Sequence, residues 1–316
     1  MKKRTLGKSG LEVAPLAFGG NVFGWTIDEK TSFELLDAFT QAGFNLIDTA
    51  DSYSLWVPGN KGGESETIIG KWLKSRGNRD KVVIATKVGS EITPARKGLN
   101  KNHILTSVEE SLRRLQTDYL DLYQSHYDDE KTPLEETLEA YHQLVQAGKV
   151  RAIGASNFTV DRLRQSLEIS KQHNFPVYQS LQPEYNLYSR QEFEADLEQL
   201  CLQEGIGVIN YFALASGFLT GKYRSEADLN KSQRGGGIKK YLNERGFRIL
   251  SALDEIAAKH NVNPAQISLA WLMARPSITA PIASATNLEQ LGDLIKAAQL
   301  ELSQDDISAL DQASAY

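Results

Sequence analysis

The chain has 316 residues, 41% hydrophobic and 24% charged, with a formal net charge of −5. That length and composition suit a large-cored α/β barrel, and the mild acidity argues against general nucleic-acid binding while leaving room for a local basic pocket. One cysteine, Cys201, excludes an intrachain disulfide or thiolate metal cluster. Residues 4–7 and 11–14 read as a hairpin around Lys8-Ser9-Gly10, before a first core strand at 15–19. Further strands are predicted at 44–48, 82–87, 120–125, 152–156, 178–182, 207–212 and 279–282. Helices are predicted at 29–42, 64–75, 102–115, 134–147, 159–173, 190–204, 247–260, 264–274 and 287–298.

Eight strand–helix units predict an α/β fold, a (β/α)8 TIM barrel formed by residues 1–316 as one domain, with the hairpin closing its base. No Gly-x-Gly-x-x-Gly follows a first strand, so a Rossmann fold is unsupported. Residues 220–245 are polar and glycine-rich and read as a long flexible loop after strand 7, on the face where barrels build their sites. The basic start Met-Lys-Lys-Arg leads into polar residues where a signal peptide needs an apolar run, and no stretch has the length of a membrane span. A cytoplasmic protein without membrane contact is expected.

Chemistry concentrates at strand ends. Asp48 closes Phe44-Asn-Leu-Ile-Asp48, Tyr53 follows on the next loop, Lys87 closes Val82-Val-Ile-Ala-Thr-Lys87, and His126 follows the fourth strand. Each alone has a structural reading: a turn-capping Asp, a packed Tyr, a solvent-facing Lys and a core His. Together they converge on one face of a barrel, where a carboxylate and a phenol suit proton transfer. The five histidines form no metal-ligand spacing, so no metal is expected.

Asp48-Thr-Ala-Asp-Ser-Tyr53 resembles the Asp-Thr-Ala-x-x-Tyr signature of the aldo-keto reductases, in which Asp, Tyr, Lys and His form a catalytic tetrad. The likeness extends to the channel β-subunit-like members and covers nearly the whole chain. It implies an oxidoreductase passing hydride from NAD(P)H to an aldehyde or ketone. Tyr53 would be the proton donor, Lys87 its tuner, Asp48 the lysine's anchor and His126 the carbonyl-orienting group. Ser156, Asn157, Gln182 and Tyr211 match positions that hold the nicotinamide. Phe212, Leu214, Ser216, Gly217 and Lys222 belong to a run resembling Leu-x-x-Gly-x-Leu-Thr-Gly-Lys-Tyr near the pyrophosphate.

Ser284, Thr286, Gln290 and Asp293 fall at the adenosine end. Thr286 stands where many members carry the Arg that clamps the 2′-phosphate, and Asp293 where Asn is usual. NADP(H) is still expected over NAD(H), with Arg234 or a loop lysine compensating. Phe23, Trp25, Trp56 and Tyr127, with Val22, are expected to wall the site for a small-molecule carbonyl substrate. The resemblance also keeps open an alternative: an NADP-binding partner or redox-sensing subunit with slow turnover, as in the β subunits of voltage-gated potassium channels. The sequence lacks a long N-terminal extension of the inactivating kind, and it carries no readable pattern for self-association.

Overall fold

The computed structural model describes residues 2–232 and 235–316. Strands β1 (Arg4–Thr5) and β2 (Glu12–Val13) pair antiparallel as a hairpin. Then strands and helices alternate: β3 (Ala17–Gly19), α1 (Glu29–Gln41), β4 (Leu46–Asp48), α2 (Glu64–Arg76), β5 (Val83–Val88) and α3 (Lys101–Leu115). They continue as β6 (Leu120–Ser125), α4 (Leu134–Gln146), β7 (Val150–Ser156), α5 (Val160–His173), β8 (Tyr178–Gln182), α6 (Glu198–Glu204) and β9 (Gly207–Val208). After α7 (Glu244–His260) and α8 (Pro264–Ala274) come β10 (Ile282–Ala283), α9 (Leu288–Ala297) and α10 (Gln304–Ala313).

Strands β3 to β9 pair in parallel in chain order, with β10 beside β3. Backbone bonds from Thr279 and Ala280 to the Val208 carbonyl, and from Ile282 to that of Asn210, close the ring. This is the (β/α)8 barrel. Its interior explains the strand sequences. Side chains alternate across a strand, so Leu46, Val83, Ala85, Leu122 and Ala152 fill one inner cluster, which Leu6, Leu11 and Val13 of the hairpin plug from below. Ile47, Ile84 and Tyr123 face out into the larger core beneath the helices. Arg4 ties the hairpin to the barrel, its guanidinium donating to the carbonyls of Ile278 and Met273 at 2.9 Å each.

Boundaries differ from the sequence expectation in several places, and the strand expected at 207–212 ends at Val208. The helix predicted at 190–204 contains a π-helical turn, Phe193–Leu197, before α6. The last barrel strand is shifted to 282–283, because residues 278–280 bond instead to Val208. Helix α10 has no counterpart in the sequence reading. Only Ile307 and Leu310 mark its apolar face, though Ser303 and Asp306 cap its start reciprocally. Finally, the described parts of 220–245 form short 3-10 turns, with Tyr223, Ile238 and Tyr241 buried.

Candidate active site

Period-two alternation puts Asp48 two residues above Leu46, Lys87 two above Ala85, and Gln124 two above Leu122, all facing inward. A polar layer therefore caps the apolar one. Lys87 is fully buried and its ammonium spends all three donors: on Asp48 Oδ2 at 2.6 Å, the Thr49 carbonyl at 2.8 Å and the Tyr53 hydroxyl oxygen at 2.9 Å. The other Asp48 oxygen accepts from Gln182 Nε2 at 2.9 Å and Gln124 Nε2 at 3.2 Å. Tyr53 lies 3.4 Å from Asp48 Oδ2, long for an O–H···O bond.

Burial pulls the Lys87 pKa down, and the adjacent Asp48 charge opposes that fall. His126 lies against Tyr53, ring centres 6.0 Å apart. Its pKa is driven well below the usual value, first by burial and then by the Lys87 charge, so the ring is a neutral imidazole at neutral pH. Its Nδ1 is buried without a hydrogen-bond partner.

Beyond this corner runs a cavity of about 1290 Å³, lined at one end by Tyr53, Trp56, His126 and Tyr127, and at the other by Thr286, Gln290 and Asp293. Between them Tyr211 donates to Asn157 Oδ1 at 2.8 Å, while Asn157 Nδ2 donates to the His126 carbonyl at 2.9 Å. Ser156 donates to the Gln182 carbonyl at 2.8 Å. The N-cap of α5 is Thr159, so Ser156 and Asn157 are not used as caps. The backbone is strained here: Asn157, Phe212, Ala215 and Ser216 all have positive φ, and Asn157, Phe212 and Ser216 line the cavity.

Leu214, Gly217, Lys222 and Ser284 also line it, and Ser284 donates to the Gly19 carbonyl and Asn21 Oδ1 at 2.8 Å each. Helix α9 starts at Leu288, one residue after the predicted start at 287. Asn287 caps it, and both Thr286 N–H and Thr286 Oγ1 donate to Gln290 Oε1, at 2.9 and 3.0 Å. Arg234 lies outside the described residues.

Of the four aromatics expected as walls, Trp56 and Tyr127 line the cavity and are half-exposed. Trp25 stands behind Trp56, edge to face at 5.4 Å. Phe23 is fully buried, stacked on Phe18 in the core. Asn21, Ser52, Leu55, Ser90 and Glu91 join the lining unanticipated, and Gln124 completes the Asp48 shell. The alternation that placed Asp48 and Lys87 also points to Gln124. Among the described residues no group of three His, Cys, Asp or Glu side chains is placed to hold a metal ion, and no helix is long and apolar enough to cross a membrane.

A closed (β/α)8 barrel with a buried Lys–Asp pair touching a tyrosine beside a long cleft is the frame of a barrel oxidoreductase. The chain belongs to the aldo/keto reductase family, whose model matches residues 15–315. It is 36% identical over 321 residues to YrpG of Bacillus subtilis (strain 168), described as an uncharacterized oxidoreductase, covering 98% of this chain and 95% of that protein. It is 32% identical to Protein tas of Escherichia coli (strain K12), covering 100% and 99%. A probable voltage-gated potassium channel subunit beta of Oryza sativa subsp. japonica is also 32% identical, over 94% of this chain and 91% of that protein. Family membership makes the chain an NAD(P)H-dependent oxidoreductase of small-molecule carbonyl compounds.

Proposed function

We propose that this enzyme reduces an aldehyde or ketone with Tyr53 as the proton donor. The observation that carries the reading is the Lys87 ammonium, whose third donor goes to the Tyr53 oxygen at 2.9 Å. That oxygen accepts from Lys87, while the phenol's own bond to Asp48 Oδ2 is long, at 3.4 Å. A phenol has a reference pKa of about 10 and is a reluctant acid. A cation on its oxygen stabilises the phenolate left after proton transfer, and Asp48 keeps that cation charged despite its burial. His126, neutral and on the cavity wall, orients the substrate carbonyl. A reduced nicotinamide held in the cleft would supply hydride for the carbonyl carbon, and the part of Tyr53 is to deliver a proton to the substrate oxygen as charge develops there.

The residues present suit such a cofactor. Tyr211 offers a ring face, and Ser156 and Asn157 offer polar groups for a carboxamide, on the wall of the cleft. Lys222 brings positive charge to the left-handed Ser216–Gly217 turn, suited to the pyrophosphate. Thr286 takes the adenosine ribose end, and Gln290 and Asp293 the adenine. For the phosphorylated cofactor, Lys222 and Lys231 are the cations lining the cavity among the described residues, and NADP(H) is the proposed preference on that ground. Trp56 and Tyr127 make the carbonyl end aromatic, favouring an apolar or aromatic aldehyde. The whole chain is proposed to work as one cytoplasmic barrel domain, its lone Cys201 buried.

Consumption of NADPH and NADH, followed in parallel with 4-nitrobenzaldehyde, tests the proposal. Turnover with NADPH the faster is expected. Tight NADPH binding without turnover would instead support a partner or sensing role, the character that the channel-subunit relative's name suggests.

A further inference from the structure

Another buried carboxyl group, Asp51, follows β4 two residues before Tyr53, and the mechanism above does not use it. Asp51 is 1% exposed, its backbone N–H donates to the Lys87 carbonyl at 3.3 Å, and neither carboxyl oxygen has a hydrogen-bond partner. Its charged and titratable neighbours come from every element packed around it. They are Glu66 on α2, Arg114 on α3, Arg96 on the loop before α3, Lys87 on β5, Tyr123 on β6 and Tyr141 on α4.

The cations among them are committed. Arg114 Nε binds Glu66 at 2.6 Å, and its guanidinium lies 3.6 Å from Glu110. Arg96 pairs with Glu110, and Lys87 pairs with Asp48. Three cations thus face four carboxyl groups, and Asp51 is the surplus one. Ionising a buried carboxyl that receives no donor carries the full desolvation penalty, so the acid form prevails.

We propose that Asp51 is a positioning residue for the reaction, a proton-bearing carboxyl group behind Lys87 that is neutral when the enzyme works and becomes charged only in alkali, where it opposes proton release by Tyr53. Burial first, and the Glu66 charge second, push this acid up to about 8, while Arg114, Arg96 and Lys87 pull it back. Once ionised, it adds to Asp48 in holding the Lys87 proton. A second negative charge two residues along the chain from Tyr53 also disfavours its phenolate, making Tyr53 a weaker acid.

This inference rests on the proposed role of Tyr53, so its test includes a readout that needs no turnover. The Tyr53 phenol is titrated by ultraviolet absorbance in the full chain, as the difference between each protein and its Tyr53→Phe counterpart. Asp51→Asn is expected to move that titration to lower pH by about one unit. In the pH profile of carbonyl reduction, a step near pH 8 should be present in the wild type and absent in Asp51→Asn, and Asp51→Glu should restore it. An unmoved tyrosine titration, or a step that persists in Asp51→Asn, overturns the proposal. If no protein reduces any carbonyl at any pH, the reductase reading fails, and the tyrosine titration still decides for or against Asp51. Should Asp51→Asn fail to fold, an unmoved Tyr53 titration in Asp51→Ala would count equally against it.

Discussion

Asp48 and Asp51 stand on one short segment, both 1% exposed, yet their surroundings are opposite. Asp48 is the last inward residue of β4 and receives Lys87, Gln124 and Gln182. Asp51 lies past the strand end, next to the salt-bridged pair Glu66 and Arg114 of α2 and α3, and receives no donor. Burial is the same in both places; the donors differ, and donors decide which buried acid carries charge. Lys87 pairs directly with the first, and under the proposal it feels the second only once that acid ionises.

Breaking the Asp48 side should have the largest effect. Lys87→Met leaves a buried carboxylate without its cation, which costs about 3–5 kcal/mol of stability, and removes the group proposed to tune Tyr53. Urea unfolding together with turnover checks this; stability within 1 kcal/mol of wild type would mean that Asp48 is not held as an ion by Lys87. Gln124→Leu takes one donor from the same carboxylate and should cost about 1–3 kcal/mol, with a smaller loss of rate.

The Asp51 side should respond with the opposite sign. Burial and then the Glu66 charge push this acid up to about 8, so the stability it contributes is complete below about pH 4 and is lost as pH rises towards 8. Asp51→Asn removes that loss. The variant should melt higher than wild type at pH 8, by on the order of 1–2 kcal/mol, and the difference should shrink towards pH 4. Parallel melting curves at both pH values would contradict the neutral-acid account. Smallest of all, Thr286→Arg at the partly exposed far end of the cleft should leave stability unchanged and favour NADPH over NADH by about tenfold, or 1.4 kcal/mol. Cofactor titration of both proteins measures it.

What the sequence made legible follows the same division. Alternation along β4, β5 and β6 is enough to aim Asp48 and Lys87 into the barrel, and the eightfold strand–helix rhythm places both at one rim. Gln124 obeys the same rule but carries no charge to draw notice. Gln182, expected at the nicotinamide, touches Asp48 in the fold, a contact between residues 134 apart that no local pattern encodes. Phe23 reads like a pocket wall because it is aromatic and near the first strand end, yet its ring fills the core against Phe18. The unpaired state of Asp51 was invisible for a similar reason: it depends on Arg114 and Arg96 being taken by other carboxylates, which only packing reveals. Helix α10 went unpredicted because its stability comes from caps and two apolar contacts instead of a full amphipathic stripe.

The central claim is that Tyr53 gives the proton. The most direct measurement is NADPH consumption with 4-nitrobenzaldehyde by Tyr53→Phe, alongside NADPH binding by the same variant. The account expects turnover to fall by about 10²-fold or more while affinity for the cofactor stays within about twofold. Turnover near the wild-type rate, or a loss of activity matched by a loss of cofactor binding, would contradict it.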